Sequence, residues 1–295
     1  MENRNKSAVG LWVAGARPRT LPAAVVPVIV GASCVVGDNA AVERWWCGVL
    51  ALVVSLALQI GVNYANDYSD GVKGTDAVRV GPFRLVGSGL VAAKKVKIAA
   101  MLAFGVAAVF GLVIALTVSL WLIVVGVASI AAGWLYTGGP KPYGYLGLGE
   151  VFVFVFFGVV ATTGSTFAIS DQITGQSLAA SIVVGCLACA LLVINNLRDI
   201  PTDTIANKNT LAVRMGDKNT RFFYFSLFTA ALAMILWLGF GDSSVLLGAV
   251  GLIAAIPAIK LVSSGAKGRD LIPVLEMTGR AQLLTGLALS IGLLV

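Results

Sequence analysis

The chain runs again and again to about 20 predominantly apolar residues between short polar segments, the length an α-helix needs to cross a bilayer. At that depth no water satisfies backbone N–H and C=O groups, so such runs must fold as helices. Nine stretches qualify: 18–37, 45–66, 97–117, 119–136, 149–170, 178–198, 220–240, 243–262 and 279–295. Strands of barrel length and alternation are absent. The expected fold class is an all-α integral membrane bundle of nine transmembrane helices. Residues 1–295 read as one unit, two four-helix halves plus a last helix. Only 12% of the residues are charged, against about 25% in a soluble domain. Pro18, Pro22 and Pro27 predict an irregular start to the first span.

Charge then sets the orientation. With nine spans, the N-terminal segment and the loops near 67–96, 137–148, 199–219 and 263–278 share one side. All but one of the 21 lysines and arginines fall there, Arg44 being the exception. By the positive-inside rule that side is cytoplasmic and the C-terminus lies outside. The first ten residues lack the apolar core of a signal peptide. The net charge of +7 reads as topology signal and contact with anionic membrane lipid, not as a nucleic-acid surface. The long polar loops are cytoplasmic, so the active site is expected at that face of a cell-membrane protein.

Within this apolar chain two acidic clusters stand out. NYANDYSDGVKGTD at 63–76 puts Asn63, Asp67 and Asp70 at i, i+4, i+7 on one helical face, with Asp76 following. NNLRDIPTDTIANKNTLAVRMG at 195–216 puts Asn195, Asp199 and Asp203 at i, i+4, i+8, provided the helix continues past Pro201. Carboxylates at membrane depth are costly and usually functional. Two facing sets would repel unless a cation lay between them. There is no histidine, and Cys34, Cys47, Cys186 and Cys189 fall in or beside apolar runs, as small fillers do. Oxygen ligands alone suit Mg²⁺, and two ions are expected. Around the clusters lie Lys73, Arg79, Arg84, Lys141, Arg198, Lys208 and Arg214. Acids, a hard cation and bases at the mouth of an apolar bundle describe a site for a diphosphate with an apolar tail.

These stretches, with ARPRTLPAAVVPVIVG at 16–31, GPFRLVGSGLV at 81–91 and YTGGPKPYGYLGLGEV at 136–151, resemble the UbiA-type family of intramembrane aromatic prenyltransferases over essentially the whole chain. Within it, the resemblance is to the branch whose acceptor is 1,4-dihydroxy-2-naphthoate. It implies transfer of a prenyl chain from a polyprenyl diphosphate to that acid, with loss of CO₂. Asn63, Asp67, Asp70, Asn195, Asp199 and Asp203 would be the metal ligands. Asp67, Asp70, Asp199, Asp203 and Lys141 would be the catalytic set, and Lys73, Arg84, Lys141, Arg198 and Lys208 would bind diphosphate. Tyr136, Tyr143 and Tyr145, with Phe152–Phe157, offer aromatic faces to an allylic cation. Tyr136, Tyr143 and Arg19 (or Arg17) would meet the acceptor. Many family members carry a third aspartate where this chain has Gly74, which leaves the role of Asp76 open.

Other classes fit less well. An ion-coupled carrier would place its acids nearer the midplane. A CDP-alcohol phosphotransferase would carry a DG-x2-AR-type motif, absent here. Relatives acting on 4-hydroxybenzoate or homogentisate share the acidic clusters and differ around 81–91 and 136–151.

Overall fold

The computed structural model describes residues 7–35, 39–74 and 84–295, without the side chains of 39–42. Asp76 and Arg79 lie outside the described residues. Among the described residues the secondary structure is helical throughout. The helices are α1 (Ala8–Ala16), α2 (Pro22–Ser33), α3 (Asn39–Lys73), α4 (Ala93–Thr117) and α5 (Trp121–Leu135). There follow α6 (Gly149–Ser170), α7 (Gly175–Ile205), α8 (Leu211–Gly239), α9 (Ser243–Ser263) and α10 (Leu271–Leu294). Each predicted apolar stretch coincides with one of these, and α1 is an addition to the expectation.

Among the described residues six helices are long and apolar enough to cross a membrane, and a seventh span forms if the bent pair at the N-terminus is counted as one. That pair, Ala8–Thr20 and Pro22–Ser33, is bent by 52°, the irregular start that the prolines predict. The residue before a proline is pushed out of the α region, and Arg17, before Pro18, takes a left-handed conformation with φ 54° that closes α1. Pro201, by contrast, is accommodated: α7 continues to Ile205, so Asn195, Asp199 and Asp203 do share one helix.

The centre of the bundle is α7. Of its most apolar 18-residue stretch 83% is buried, against 17% for α3 and 28% for α4. Tight contacts surround it. A methyl added at Gly158 of α6 would lie 2.5 Å from the Gly185 Cα of α7, an approach that small residues allow in membranes. At Gly31 of α2 the added carbon would lie 2.3 Å from the Thr162 carbonyl oxygen of α6. The outer faces of α4, α5 and α8 expose Leu102, Leu116, Trp121, Val127 and Trp237, the apolar surface expected against lipid.

Inside α6, Phe154–Val160 form a π-helical turn. Its effect is on register. Residues lining the central cavity recur on α6 as 152/153, 156/157, 160/161, 164/165 and 168, a step of four. In a regular α-helix a four-residue step drifts by about 40° each time and would carry the row off the cavity face. The wider π turn takes out part of that drift, so one face of α6 stays turned to the cavity along its length.

Candidate active site

The polar ends of α3 and α7 meet beneath three connecting segments, 84–92, 136–148 and 206–210. Between them lies a small polar cavity of about 70 Å³. Asp70, Asp199 and Asp203 line it together with Arg17, Arg84 and Lys208, three carboxylates against three cations. It adjoins an apolar cavity of about 540 Å³ between α2, α3, α4, α5, α6 and α7. Arg17, Asn66, Tyr136 and Asn195 line both, and so mark the junction.

Asp70 is the hub of the polar cavity. It is 3% exposed. The Lys208 Nζ lies 3.1 Å from Oδ1, the Arg84 Nη2 lies 3.5 Å from Oδ2, and the Tyr145 hydroxyl donates to Oδ1 at 2.5 Å. Lys208 also stands 4.7 Å from the centre of the Tyr145 ring. Asn207, left-handed at φ 54°, turns the chain after α7, and the Lys208 N–H closes that turn on the Asp203 carbonyl at 2.8 Å.

On α7, Arg198 grips the neighbouring Asp199 with two charge-assisted bonds, Nε to Oδ1 and Nη2 to Oδ2, both 2.7 Å. The same Nη2 donates to Asn195 Oδ1 at 2.6 Å. Arg198 is thus a clamp on two cavity residues; its own side chain lines neither cavity.

Several residues expected at the site sit elsewhere or do another job. Asp67 does not line the polar cavity. Its two oxygens accept the Leu85 and Val86 N–H groups, at 2.7 and 3.0 Å, so it tethers the 84–90 segment to α3. Asn63 lines the apolar cavity, and its Nδ2 donates to the Ala16 carbonyl at 2.9 Å and to Thr20 Oγ1 at 3.0 Å, tying the N-terminal segment to α3. Lys73 is exposed and donates to the Thr137 and Gly139 carbonyls at 2.8 and 3.3 Å. Lys141 is exposed and lines neither cavity. Arg19 points outward and pairs with Glu276, because the turn at Arg17–Pro18 sends neighbouring side chains to opposite sides. Arg17 takes the inward position. Arg214 donates to the Asn209 carbonyl at 3.1 Å and braces the segment that carries Lys208.

Aromatic residues gather beside the polar cavity. Tyr143 stacks on Phe152 with ring centres 3.9 Å apart, and Phe152 on Phe156 at 6.0 Å. Tyr136 meets Tyr143 edge-on at 5.5 Å. All four line the apolar cavity near its junction with the polar one. The Tyr143 hydroxyl donates to the Ala132 carbonyl at 2.8 Å, and burial pushes its pKa above the ordinary tyrosine value.

Some cavity residues escaped sequence reasoning. Asn66 lies one residue before Asp67 and accepts from the Thr137 hydroxyl at 2.7 Å. Asn196 follows Asn195, and its Nδ2 donates to the buried Glu150 Oε1 at 2.9 Å. The Asn195–Asn196 pair in an apolar helix was the available signal. Glu150, a lone carboxylate opening an apolar run, was another.

Among the described residues no three acidic, histidine or cysteine side chains gather closely enough to cage an ion by themselves. Mg²⁺ seldom needs such a cage, since one or two carboxylates with phosphate oxygens and water suffice. The donors lining the polar cavity, carboxylates and amides without thiolate, fit that ion.

Comparison with known proteins agrees with this geometry. Residues 24–270 match the UbiA prenyltransferase family. A 1,4-dihydroxy-2-naphthoate octaprenyltransferase of Mycobacterium tuberculosis is 50% identical, covering 95% of both chains. One from Escherichia coli is 33% identical over 99% of this chain and 98% of its own. Among solved structures, an apo UbiA homolog from Aeropyrum pernix K1 superposes with a TM-score of 0.71 at 13% identity, covering 91% of this chain and 96% of its own. A UbiA homolog from Archaeoglobus fulgidus bound to GPP and Mg²⁺ gives 0.62 at 12% identity, covering 95% and 99%. The helical bundle, the paired cavities and the matching family profile agree: the chain belongs to the UbiA prenyltransferase family.

Proposed function

We propose that the protein transfers a polyprenyl chain from its diphosphate to 1,4-dihydroxy-2-naphthoate, releasing diphosphate and CO₂ and leaving a demethylmenaquinol. The observation that carries this reading is a charged cavity that shares its wall with a large apolar one, in a chain half identical to an enzyme of that name. The apolar cavity takes the tail, the polar one the diphosphate, and the aromatic junction lies where the allylic carbon would be.

The chemistry follows from the lining. The cavity's cations face three carboxylates, whose charge would oppose a diphosphate unless a bound cation bridged them. Bound Mg²⁺, two ions in this proposal, would supply the missing positive charge and make diphosphate a better leaving group. Asp70, Asp199 and Asp203, with Asn66 and Asn195, would hold it. Lys208 and Arg84 meet negative charge as the carbon–oxygen bond breaks. Tyr136, Tyr143 and Phe152 present aromatic faces to the allylic cation, and the apolar walls keep water from it. The electron-rich ring then forms its bond to the cation, and loss of the carboxyl group as CO₂ restores aromaticity. Arg17, at the junction, is assigned to the acceptor carboxylate in place of Arg19. Asp67, Arg198, Asn63 and Lys73 position these groups and the segments that bear them.

The same reading places the polar cavity at the cytoplasmic face of the cell membrane. Arg44, the basic residue of the opposite side, lies 4.0 Å from Asp171 at the far end of the bundle. With α5 and α10 crossing as well, the chain makes nine passes as one unit.

The test is an acceptor comparison. Purified protein with Mg²⁺ and a polyprenyl diphosphate is given 1,4-dihydroxy-2-naphthoate or 4-hydroxybenzoate, and products are read by mass. A prenylated naphthoquinol without the carboxyl group is expected. Prenylation of the benzoate alone would move the protein to another branch of the family.

A further inference from the structure

We propose that Gly164 of α6, with Gly126 of α5 above it, sets the longest prenyl chain that the apolar cavity admits. The proposal rests on the reading that this cavity holds the donor's tail.

Two contrasting sets stand out among the helical glycines of this bundle. At Gly31, Gly158, Gly185 and Gly286 a methyl would collide within 3 Å with a neighbouring helix, so glycine there permits close packing. At Gly126 and Gly164 a methyl would meet nothing within 4 Å. Both line the apolar cavity, and neither has a positive φ that would demand glycine. Glycine is the poorest helix former after proline. Neither packing nor backbone geometry calls for it at these positions. What the missing side chains provide is width in the cavity.

The two positions lie at different depths. Gly126 precedes Tyr136, at the junction, by ten residues, about 15 Å along the helix axis. Gly164 follows Gly149, which packs against Tyr136 at the junction, by fifteen residues, roughly 20 Å deep. A side chain at 126 would therefore obstruct the tail nearer its reactive end than one at 164. The cavity becomes a ruler with two marks.

The experiment measures turnover of a two-isoprene and an eight-isoprene diphosphate by Gly164→Phe, Gly126→Phe and Gly105→Phe. Gly105 also has open space beside it but does not line the cavity. The long-to-short ratio should fall at least about tenfold in Gly164→Phe and further in Gly126→Phe. Gly105→Phe should keep the ratio of the unaltered protein. If Gly164→Phe proves unstable, Gly164→Leu and Gly164→Ala form a graded series in which the ratio must fall with side-chain volume. An unchanged ratio across that series, or an equal fall with both donors, would overturn the proposal. Thermal stabilisation by each diphosphate, read on the same proteins, reports tail binding without turnover. A protein that binds both donors but prenylates no acceptor would refute the functional reading, and the binding ratio would still decide the ruler.

Discussion

The Lys208 ammonium lies 3.1 Å from Asp70 Oδ1 and joins the segment after α7 to the end of α3. The two acidic clusters meet through this cation. Both partners are largely buried, Lys208 at 8% and Asp70 at 3% exposure, so removing either takes a partner from a buried charge, although Asp70 keeps Arg84 and the Tyr145 hydroxyl when Lys208 is lost. Asp70→Asn and Lys208→Met should each destabilise the protein by about 3 kcal/mol. The double variant should lose less than the sum, with a coupling of about 1–3 kcal/mol. Thermal unfolding of the four proteins in detergent measures the cycle, and strict additivity would show that the contact does not matter.

Asp67 and Asp203 should separate by their response to metal. Asp203 lines the polar cavity, whereas both Asp67 oxygens are occupied by backbone N–H groups. Asp203→Asn is expected to raise the Mg²⁺ concentration for half-maximal activity at least about tenfold. Asp67→Asn should leave that concentration unchanged, because its amide keeps one acceptor and fails the other N–H, at a cost of about 1–3 kcal/mol. Faster hydrogen exchange at Leu85 and Val86 would report the loosened tether. A metal requirement that moves with Asp67 and not with Asp203 would reverse the assignment.

Arg17 and Arg19, two residues apart, should behave as different kinds of residue. Arg17→Ala should raise the apparent KM for the aromatic acid by about tenfold or more, the loss of one charge-assisted contact. Arg19→Ala breaks an exposed pair with Glu276, worth no more than about 1 kcal/mol, and should change neither KM beyond about threefold. Steady-state kinetics with each substrate varied in turn distinguish the two.

Gly31→Ala tests the packing of α2 on α6. The added methyl would lie 2.3 Å from the Thr162 carbonyl oxygen, which is backbone and cannot swing aside. A loss of about 1–3 kcal/mol is expected, seen as a lower midpoint of unfolding. Gly105→Ala, facing open space, should be neutral or slightly stabilising.

Much of this was legible in the sequence, and the rest was hidden for physical reasons. Apolar length alone located the helices, since lipid permits little else. The i, i+4, i+7 and i, i+4, i+8 spacings put Asp67 and Asp70, and Asp199 and Asp203, near the ends of their helices. Spacing could not tell that Asp67 would turn to the 84–90 segment while Asp70 faced the cavity, because that choice depends on where a distant loop puts its N–H groups. Arg17 and Arg19 looked interchangeable until the left-handed turn before Pro18 separated their directions. The π turn in α6 carries no composition of its own and shows only as the four-residue step of the cavity-lining residues. Lys141 lies between the clusters in sequence, and its segment does cover the site, yet the Lys141 side chain itself is exposed and lines neither cavity.

The measurement to make is the fate of the acceptor's carboxyl carbon. 1,4-Dihydroxy-2-naphthoate labelled at that carbon would be incubated with Mg²⁺, polyprenyl diphosphate and the purified protein. One labelled CO₂ released for each prenylated naphthoquinol, both lost in Asp70→Asn, is the predicted result. A prenylated product that keeps the label, or labelled CO₂ released without prenylation, would contradict decarboxylating prenyl transfer at this site.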